Sequence, residues 1–148
     1  MVVVINASPF EAGKQNQRKQ MLSDKAKKYN LPILYVNTVG GQDDLVFDGG
    51  SVVVGADGTI CHEAPRFLSQ TVLAKFDNDT KQFDQQNKPA LQLSEESEIY
   101  QALVVGLRDY VNRSGFKGVI VGLSGGIDSA LTLCIATDAL GCLLYTSD

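Results

Sequence analysis

No apolar run in the 148 residues approaches the ~20 residues that a membrane-spanning helix needs. Residues 1–5 are apolar but few, no basic segment precedes them, and Asn6 follows. They read as neither a signal peptide nor an anchor. No basic run is longer than Lys27-Lys28, and 13 Lys and Arg against 17 Asp and Glu leave a net charge of −4. That balance argues against nucleic acid and anionic membrane as partners. Cysteine is sparse: Cys61, Cys134 and Cys142 are odd in number and irregular in spacing. Reduced thiols in a cytoplasmic setting fit this better than a disulfide framework. One His and no CxxC pair argue against a zinc site. What is present, 44% apolar and 20% charged residues, is enough to bury a core.

The length is that of one domain, but the pattern contains pieces of two. Residues 1–76 hold short strands and tight turns. Residues 77–93, Asp77-Asn78-Asp79-Thr80 through Gln92-Leu93, are polar, rich in Gln and Asn, and contain Pro89, as a linker would. Residues 94–141 run helix, strand, Gly-rich loop, helix. In the first part, residues 2–5 and 33–36 are continuous apolar runs, expected as strands buried on both faces. Residues 14–30 favour a helix with Leu22, Ala26 and Tyr29 on one face, ended by Leu31-Pro32. Strands are expected at 45–47, 51–54, 59–61 and 72–76, with a hairpin turn at Ala56-Asp57-Gly58.

Gly40-Gly41 and Asp48-Gly49-Gly50-Ser51 are expected to build tight turns, Asp43, Asp44 and Asp48 to be loop and turn residues, and Arg18 to be a solvated helix position. Cys61-His62 has the residue types of a nucleophile and its base. Adjacent strand residues point to opposite faces, which argues against that pairing.

In the second part, Ser94 is placed to cap a helix whose first turn carries Glu95 and Glu96. Ile99, Tyr100, Leu103, Val104, Leu107, Tyr110 and Val111 follow a helical period, and Gly115 is placed to end it. Residues 119–121 are expected as a short buried strand, and 128–140 as a buried apolar helix with Cys134 as packing.

The strongest chemical signal is Gly122-Leu123-Ser124-Gly125-Gly126-Ile127-Asp128-Ser129, between that strand and that helix. A helix N-terminus offers unpaired N–H groups and partial positive charge. Glycines let the backbone approach a ligand closely, and Ser124 and Ser129 add hydroxyl donors. Together these make a site for phosphate oxygens. No Lys follows the second Gly, so this is not the GxxxxGK[ST] loop. Asp128 offers another source of positive charge, by holding Mg²⁺ against the phosphates. A loop gripping pyrophosphate suits the splitting of ATP into AMP and pyrophosphate. The plain alternative is a Gly-rich turn capped by Ser and Asp.

Ser124-Gly125-Gly126-Ile127-Asp128-Ser129 resembles the pyrophosphate-gripping loop of the N-type ATP pyrophosphatases, a group that includes NAD, GMP and asparagine synthetases. These activate a carbonyl oxygen by adenylylation and then admit a nitrogen nucleophile. The octet does not choose among them. A second set of residues does: Ile5-Asn6-Ala7-Ser8-Pro9-Phe10, Gly13-Lys14, Arg18, residues 31–37 and residues 39–51. They look like the later part of a nitrilase-type amidase, and most closely the glutaminase domain of the glutamine-dependent NAD(+) synthetase family.

That family joins the two units in this order with a linker between, and the resemblance covers residues 1 to about 141. It implies an α/β fold throughout: the end of a nitrilase-type α-β-β-α sandwich, then the start of a doubly wound parallel-sheet ATP-pyrophosphatase domain. It implies ATP-dependent amidation of deamido-NAD to NAD, with glutamine as nitrogen donor and AMP, pyrophosphate and glutamate as products. ATP and Mg²⁺ are the implied cofactors, the octet 122–129 the ATP site, Asp128 the metal ligand, and Ser8 and Lys14 the contacts to glutamine.

The same resemblance places the glutaminase Glu, Lys and Cys before Asn6, so no catalytic residue is expected here and Lys14 is not the catalytic lysine. After Gly141 the family continues with a strand and the rest of the nucleotide site, whereas Cys142-Leu143-Leu144-Tyr145-Thr146-Ser147-Asp148 is expected to be a non-native tail. The chain then reads as an internal fragment, inactive alone. Its parent would be a cytoplasmic homo-oligomer acting on small molecules. Two other readings stand beside this one: another amidotransferase of the same group, and a non-catalytic remnant that binds Mg-ATP or pyrophosphate.

Overall fold

The computed structural model describes residues 1–84 and 92–141. In chain order the elements are β1 (Val2–Asn6), α1 (Lys14–Tyr29), β2 (Ile33–Asn37), β3 (Val39–Gln42), β4 (Leu45–Asp48), β5 (Val52–Val54), β6 (Ile60–Glu63), β7 (Phe76–Asp77), β8 (Gln82–Phe83), α2 (Glu95–Arg113) and α3 (Ile127–Leu140). The main sheet has the order β1-β2-β5-β6. β1 and β2 are parallel, in register from Val2 opposite Ile33 to Asn6 opposite Asn37, and α1 is the crossover that a parallel pair requires.

α1 stops where Asn30 takes a left-handed turn and Leu31 N–H closes on Ala26 O, one residue before Pro32. Its buried face, Leu22 and Ala26, packs on Ile33, Tyr35, Val52 and Val54. Tyr29, expected on that face, is 61% exposed at the helix end. Residues 2–5 are not buried on both faces either, and Ile5 is 85% exposed. β1 is an edge strand with β2 as its one partner, and only Val4 leans on the core under α1. In β2, too, Val36 is exposed and Ile33, Tyr35 and Asn37 are buried: a one-sided alternation, not a run buried throughout.

Gly40 and Gly41, expected in a turn, lie within β3, which pairs with β4. The turn of that hairpin is Asp43-Asp44, as expected of them. The reason for glycine at 41 is close approach: a Cβ there would stand 3.1 Å from the Cα of Gly106 in α2. Gly49 and Gly50 do build the turn into β5, and Asp57 closes the next hairpin by accepting from Thr59 N–H at 2.9 Å. Residues 72–75 join no ladder. Phe76 alone of the expected closing strand is in β7, which pairs with β8 inside the stretch read as a linker. There Phe83 buries itself against Val53 and Cys61.

Ser94 caps α2 by accepting from Ser97 N–H, and Gly115 follows the helix with positive φ. α2 buries Ala102, Val104, Val105 and Val111, while Ile99, Leu103 and Tyr110 of the expected stripe are exposed. The partner decides this: Phe67 and Val46 of the first part pack on Ala102 and Val105. Residues 119–121 form no strand, and Ile120 is fully exposed. No described strand lies beside them to take their backbone bonds. α3 buries only Ala136 and Ala139, and Cys134 on it is exposed, contrary to the buried helix expected. Residues 142–148 lie outside the described residues, so the expected tail falls there. No described helix is long and apolar enough to cross a membrane.

Candidate functional site

The Gly-rich octet forms an exposed loop that runs into the N-terminus of α3. Gly126 is the N-cap and no side chain caps the helix there, so the first-turn N–H groups have no side-chain acceptor. Gly125 has φ +84°, and a Cβ at that position would meet nothing within 4 Å. The loop is therefore open around Gly125. Ser124 Oγ donates to Ser129 Oγ at 3.2 Å, and Ser129 Oγ donates to Gly126 O at 2.9 Å. Both hydroxyls sit at the loop mouth, and each turns to a new acceptor by a single torsion. Asp128 is exposed in the first turn of α3. Among the described residues no three His, Cys, Asp or Glu side chains gather to hold a metal ion.

Ser8 and Lys14 lie in different surroundings. Lys14 starts α1, is partly exposed, and pairs with Glu11 at 3.4 Å. Ser8 is pinned: its N–H donates to Asn37 Oδ1 at 2.8 Å, and its Oγ accepts from Arg18 Nη2 at 3.3 Å. The Ser8 O–H therefore remains a donor beside a guanidinium, a pairing suited to a carboxylate.

Behind Ser8 lies a buried polar network. Asp48 is 1% exposed; its Oδ1 accepts from Arg18 Nη2 at 3.3 Å and its Oδ2 from Arg66 Nε at 3.0 Å. Arg66 reaches on to Glu98 in α2. Gln15 Oε1 accepts from Arg18, and Gln15 Nε2 donates to Gly50 O at 3.0 Å and Glu63 Oε1 at 2.9 Å. Arg18 is thus buried, not solvated, and Asp48 is the centre of a charge cluster, not a simple turn residue. The expectation of a solvated Arg18 failed because Asp48, 30 positions away, supplies the counter-charge that lets a guanidinium enter the core. Asn37, Gln15, Arg66 and Glu98 escaped sequence reasoning, since no fixed spacing marks them.

Cys61 and His62 depart from strand alternation. Val53 pairs with His62 and Val54 with Ile60, so Cys61 is the extra residue of a β-bulge. Cys61 packs on Val53 and Phe83, and His62 lines a cavity of about 310 Å³ with Leu34, Val53 and Val72, so both turn toward the Val53 side. Neither ring nitrogen of His62 has a hydrogen-bond partner among the described residues. Burial pushes the Cys61 thiol above its ordinary pKa, the opposite of what a thiolate nucleophile requires.

The family model for carbon–nitrogen hydrolase matches residues 2–85, more than half of the chain. The chain belongs to the carbon–nitrogen hydrolase family. Residues 99–145 match a second family, NAD synthase, whose match runs into the stretch 142–148. The chain is similar to the glutamine-dependent NAD(+) synthetase of Acinetobacter baylyi, 51% identical over 95% of this chain and 26% of the relative. It is 43% identical to the one of Synechocystis, over 95% of this chain and 25% of that protein. The chain therefore spans about a quarter of the length of the curated relatives it matches. Among solved structures, the glutamine-dependent NAD+ synthetase of Acinetobacter baumannii in complex with ADP superposes with a TM-score of 0.88 at 55% identity, covering 95% of this chain and 27% of that one. The glutamine-dependent NAD(+) synthetase of Cytophaga hutchinsonii shares the fold, with a TM-score of 0.71 at 24% identity over 93% of this chain and 22% of that one.

The division between the two matches gives the buried network a location. Ser8, Gln15, Arg18, Asp48 and Arg66 lie in the carbon–nitrogen hydrolase part. Arg66 and Glu98 join that part to the first turn of α2, the helix that enters the NAD synthase match at Ile99. Asp109 of α2 makes a second tie by accepting from Gly41 N–H at 2.7 Å.

Proposed function

We propose that this chain is the junction segment of a glutamine-dependent NAD(+) synthetase. Residues 1–76 end the amide-hydrolysing unit, 77–93 connect, and 94–141 begin the ATP-dependent unit. In the whole enzyme glutamine is hydrolysed to glutamate and ammonia. Ammonia then attacks the adenylylated nicotinate carboxylate of deamido-NAD, giving NAD, AMP and pyrophosphate. The observation that carries this reading is the order of the two family matches on one chain, residues 2–85 and then 99–145. The whole enzyme is placed in the cytoplasm as a homo-oligomer acting on small molecules.

Within that reading the octet 122–129 holds the pyrophosphate portion of ATP. The open backbone at Gly125 and the uncapped first turn of α3 support this, because both leave N–H donors for phosphate oxygens. Asp128 is the residue that would hold Mg²⁺, and the ion would neutralise phosphate charge at the helix end. Ser8 and Lys14 receive glutamine: the Ser8 hydroxyl donates, and Lys14 exchanges Glu11 for the substrate carboxylate. No residue of this chain carries the covalent chemistry of either half-reaction.

The test is a graft. Residues 2–141 replace the matching segment of the Acinetobacter baylyi relative, and NAD formation from deamido-NAD, ATP and glutamine is measured. Activity retained by the graft and abolished by Gly125→Asp is the expected result. A graft that folds and assembles but makes no NAD overturns the function. If the isolated chain still binds Mg-ATP in that case, the phosphate-binding remnant is the better description.

A further inference from the structure

The buried network continues past the point where the candidate glutamine site needs it. Ser8 meets Arg18, Arg18 meets Asp48, Asp48 meets Arg66, and Arg66 meets Glu98 in the first turns of α2. Charges alternate along this path, and Arg18, Asp48, Arg66 and Glu98 are all largely withdrawn from water. We infer that Arg66 is a positioning residue that couples the Ser8 segment of the hydrolase part to helix α2 of the synthase part, so that glutamine hydrolysis and amide formation stay in step. This rests on the function proposed above and adds to it a named residue.

Three features single out Arg66. Its planar fork is shared between the two parts, with Nε on Asp48 at 3.0 Å and Nη1 on Glu98. Its guanidinium lies over the rings of Phe10 at 5.7 Å and Phe67 at 5.1 Å. Phe10 belongs to the same short segment as Ser8, so Arg66 touches that segment both through the charge path and through a ring. Its Nη2 is buried without a partner among the described residues. A guanidinium that leaves a donor unmet is held by its other contacts, and holding it costs stability.

The path also leads somewhere. Glu98 lies two residues before Tyr100, whose hydroxyl donates to Asp138 of α3 at 2.7 Å. α3 is the helix that begins at the Gly-rich loop. A shift of Ser8 therefore acts on α2 through Arg66 and Glu98, and α2 in turn packs on α3, whose N-terminal end carries the loop.

The experiment uses the full-length graft. NAD formed per glutamine hydrolysed is measured, together with NAD formed when an ammonium salt replaces glutamine. Arg66→Met is expected to lower the first ratio about fivefold or more while the ammonium-supported rate holds. Glu98→Gln keeps an acceptor oxygen, serves if Arg66→Met does not fold, and is expected to act in the same sense with smaller size. A parallel fall with both nitrogen sources makes Arg66 structural support only and overturns the inference, as does an unchanged ratio in both variants. The two levels separate cleanly. A graft inactive before any change at Arg66 counts against the function. An active graft whose ratio ignores both substitutions counts against Arg66 alone.

Discussion

The two regions that a sequence reader would mark as functional are built on opposite principles. Around Ser8, polar groups are buried and matched to one another: Asp48 accepts from two arginines, Asn37 ties Ser8 to Gly49, and Gln15 fills the space between helix and sheet. Around Ser124, polar groups are exposed and the helix end is left uncapped. The first arrangement holds its geometry without a ligand. The second leaves its donors open to solvent. Buried charge is expensive unless paired, so a network of this kind must be complete in the folded chain. An exposed helix N-terminus costs little while water serves as its partner, and its donors stay available. Pre-organisation and availability are thus divided between the two parts of the molecule.

The contrast breaks most sharply at Asp48. Asp48→Ala leaves Arg18 and Arg66 buried and facing each other without their shared counter-ion. The expected loss is about 3–5 kcal/mol, a large share of the stability of a domain of this size. Urea denaturation followed by circular dichroism measures it. A loss below about 1 kcal/mol would mean that water reaches the cluster and that the network is not the anchor described here. Gly125→Asp is the counterpart in the loop. It places a side chain at φ +84°, where strain costs about 1 kcal/mol, in a segment with open space around it. Stability should fall by no more than that, while Mg-ATP binding is lost to a carboxylate set among the phosphate donors. A drop as large as that of Asp48→Ala would show the loop to be structural.

The same contrast governs what the sequence made legible. The octet stands out in the sequence because its glycines, hydroxyls and Asp128 are neighbours along the chain. α1, the Ser94 cap and the Asp57 hairpin were readable for the same reason. Arg18 was misread because its partner is brought close only by folding. Gly40-Gly41 looked like a turn because glycine permits one, yet the need for glycine at 41 comes from Gly106, 65 positions later. Apolar runs announced a strand buried on both faces at residues 2–5 and a short buried strand at 119–121. Apolar character states a preference for burial and does not supply the partner: β1 has one neighbour, and 119–121 have none among the described residues. Arg66 and Glu98 had no signal at all, because they are 32 positions apart and only folding brings them together.

The smallest effect tests how loosely the loop-bearing helix is held. α3 buries two alanines, and Tyr100 of α2 reaches it with a single hydrogen bond to Asp138. The carboxylate that accepts this bond pushes the Tyr100 hydroxyl up from 10.0 to about 12. The folded pKa is raised, so the protonated form is favoured in the folded state. The contribution is fully present below about pH 10 and is lost as pH rises toward about 12. Tyr100 is expected to titrate late, with the α2–α3 contact loosening in that window. Tyrosinate absorbance against pH, with Tyr100→Phe as the control, makes the measurement. If the late-titrating tyrosine persists in Tyr100→Phe, α3 is held by something other than this bond. The division between an anchored hydrolase part and a lightly tethered loop helix would then have to be redrawn.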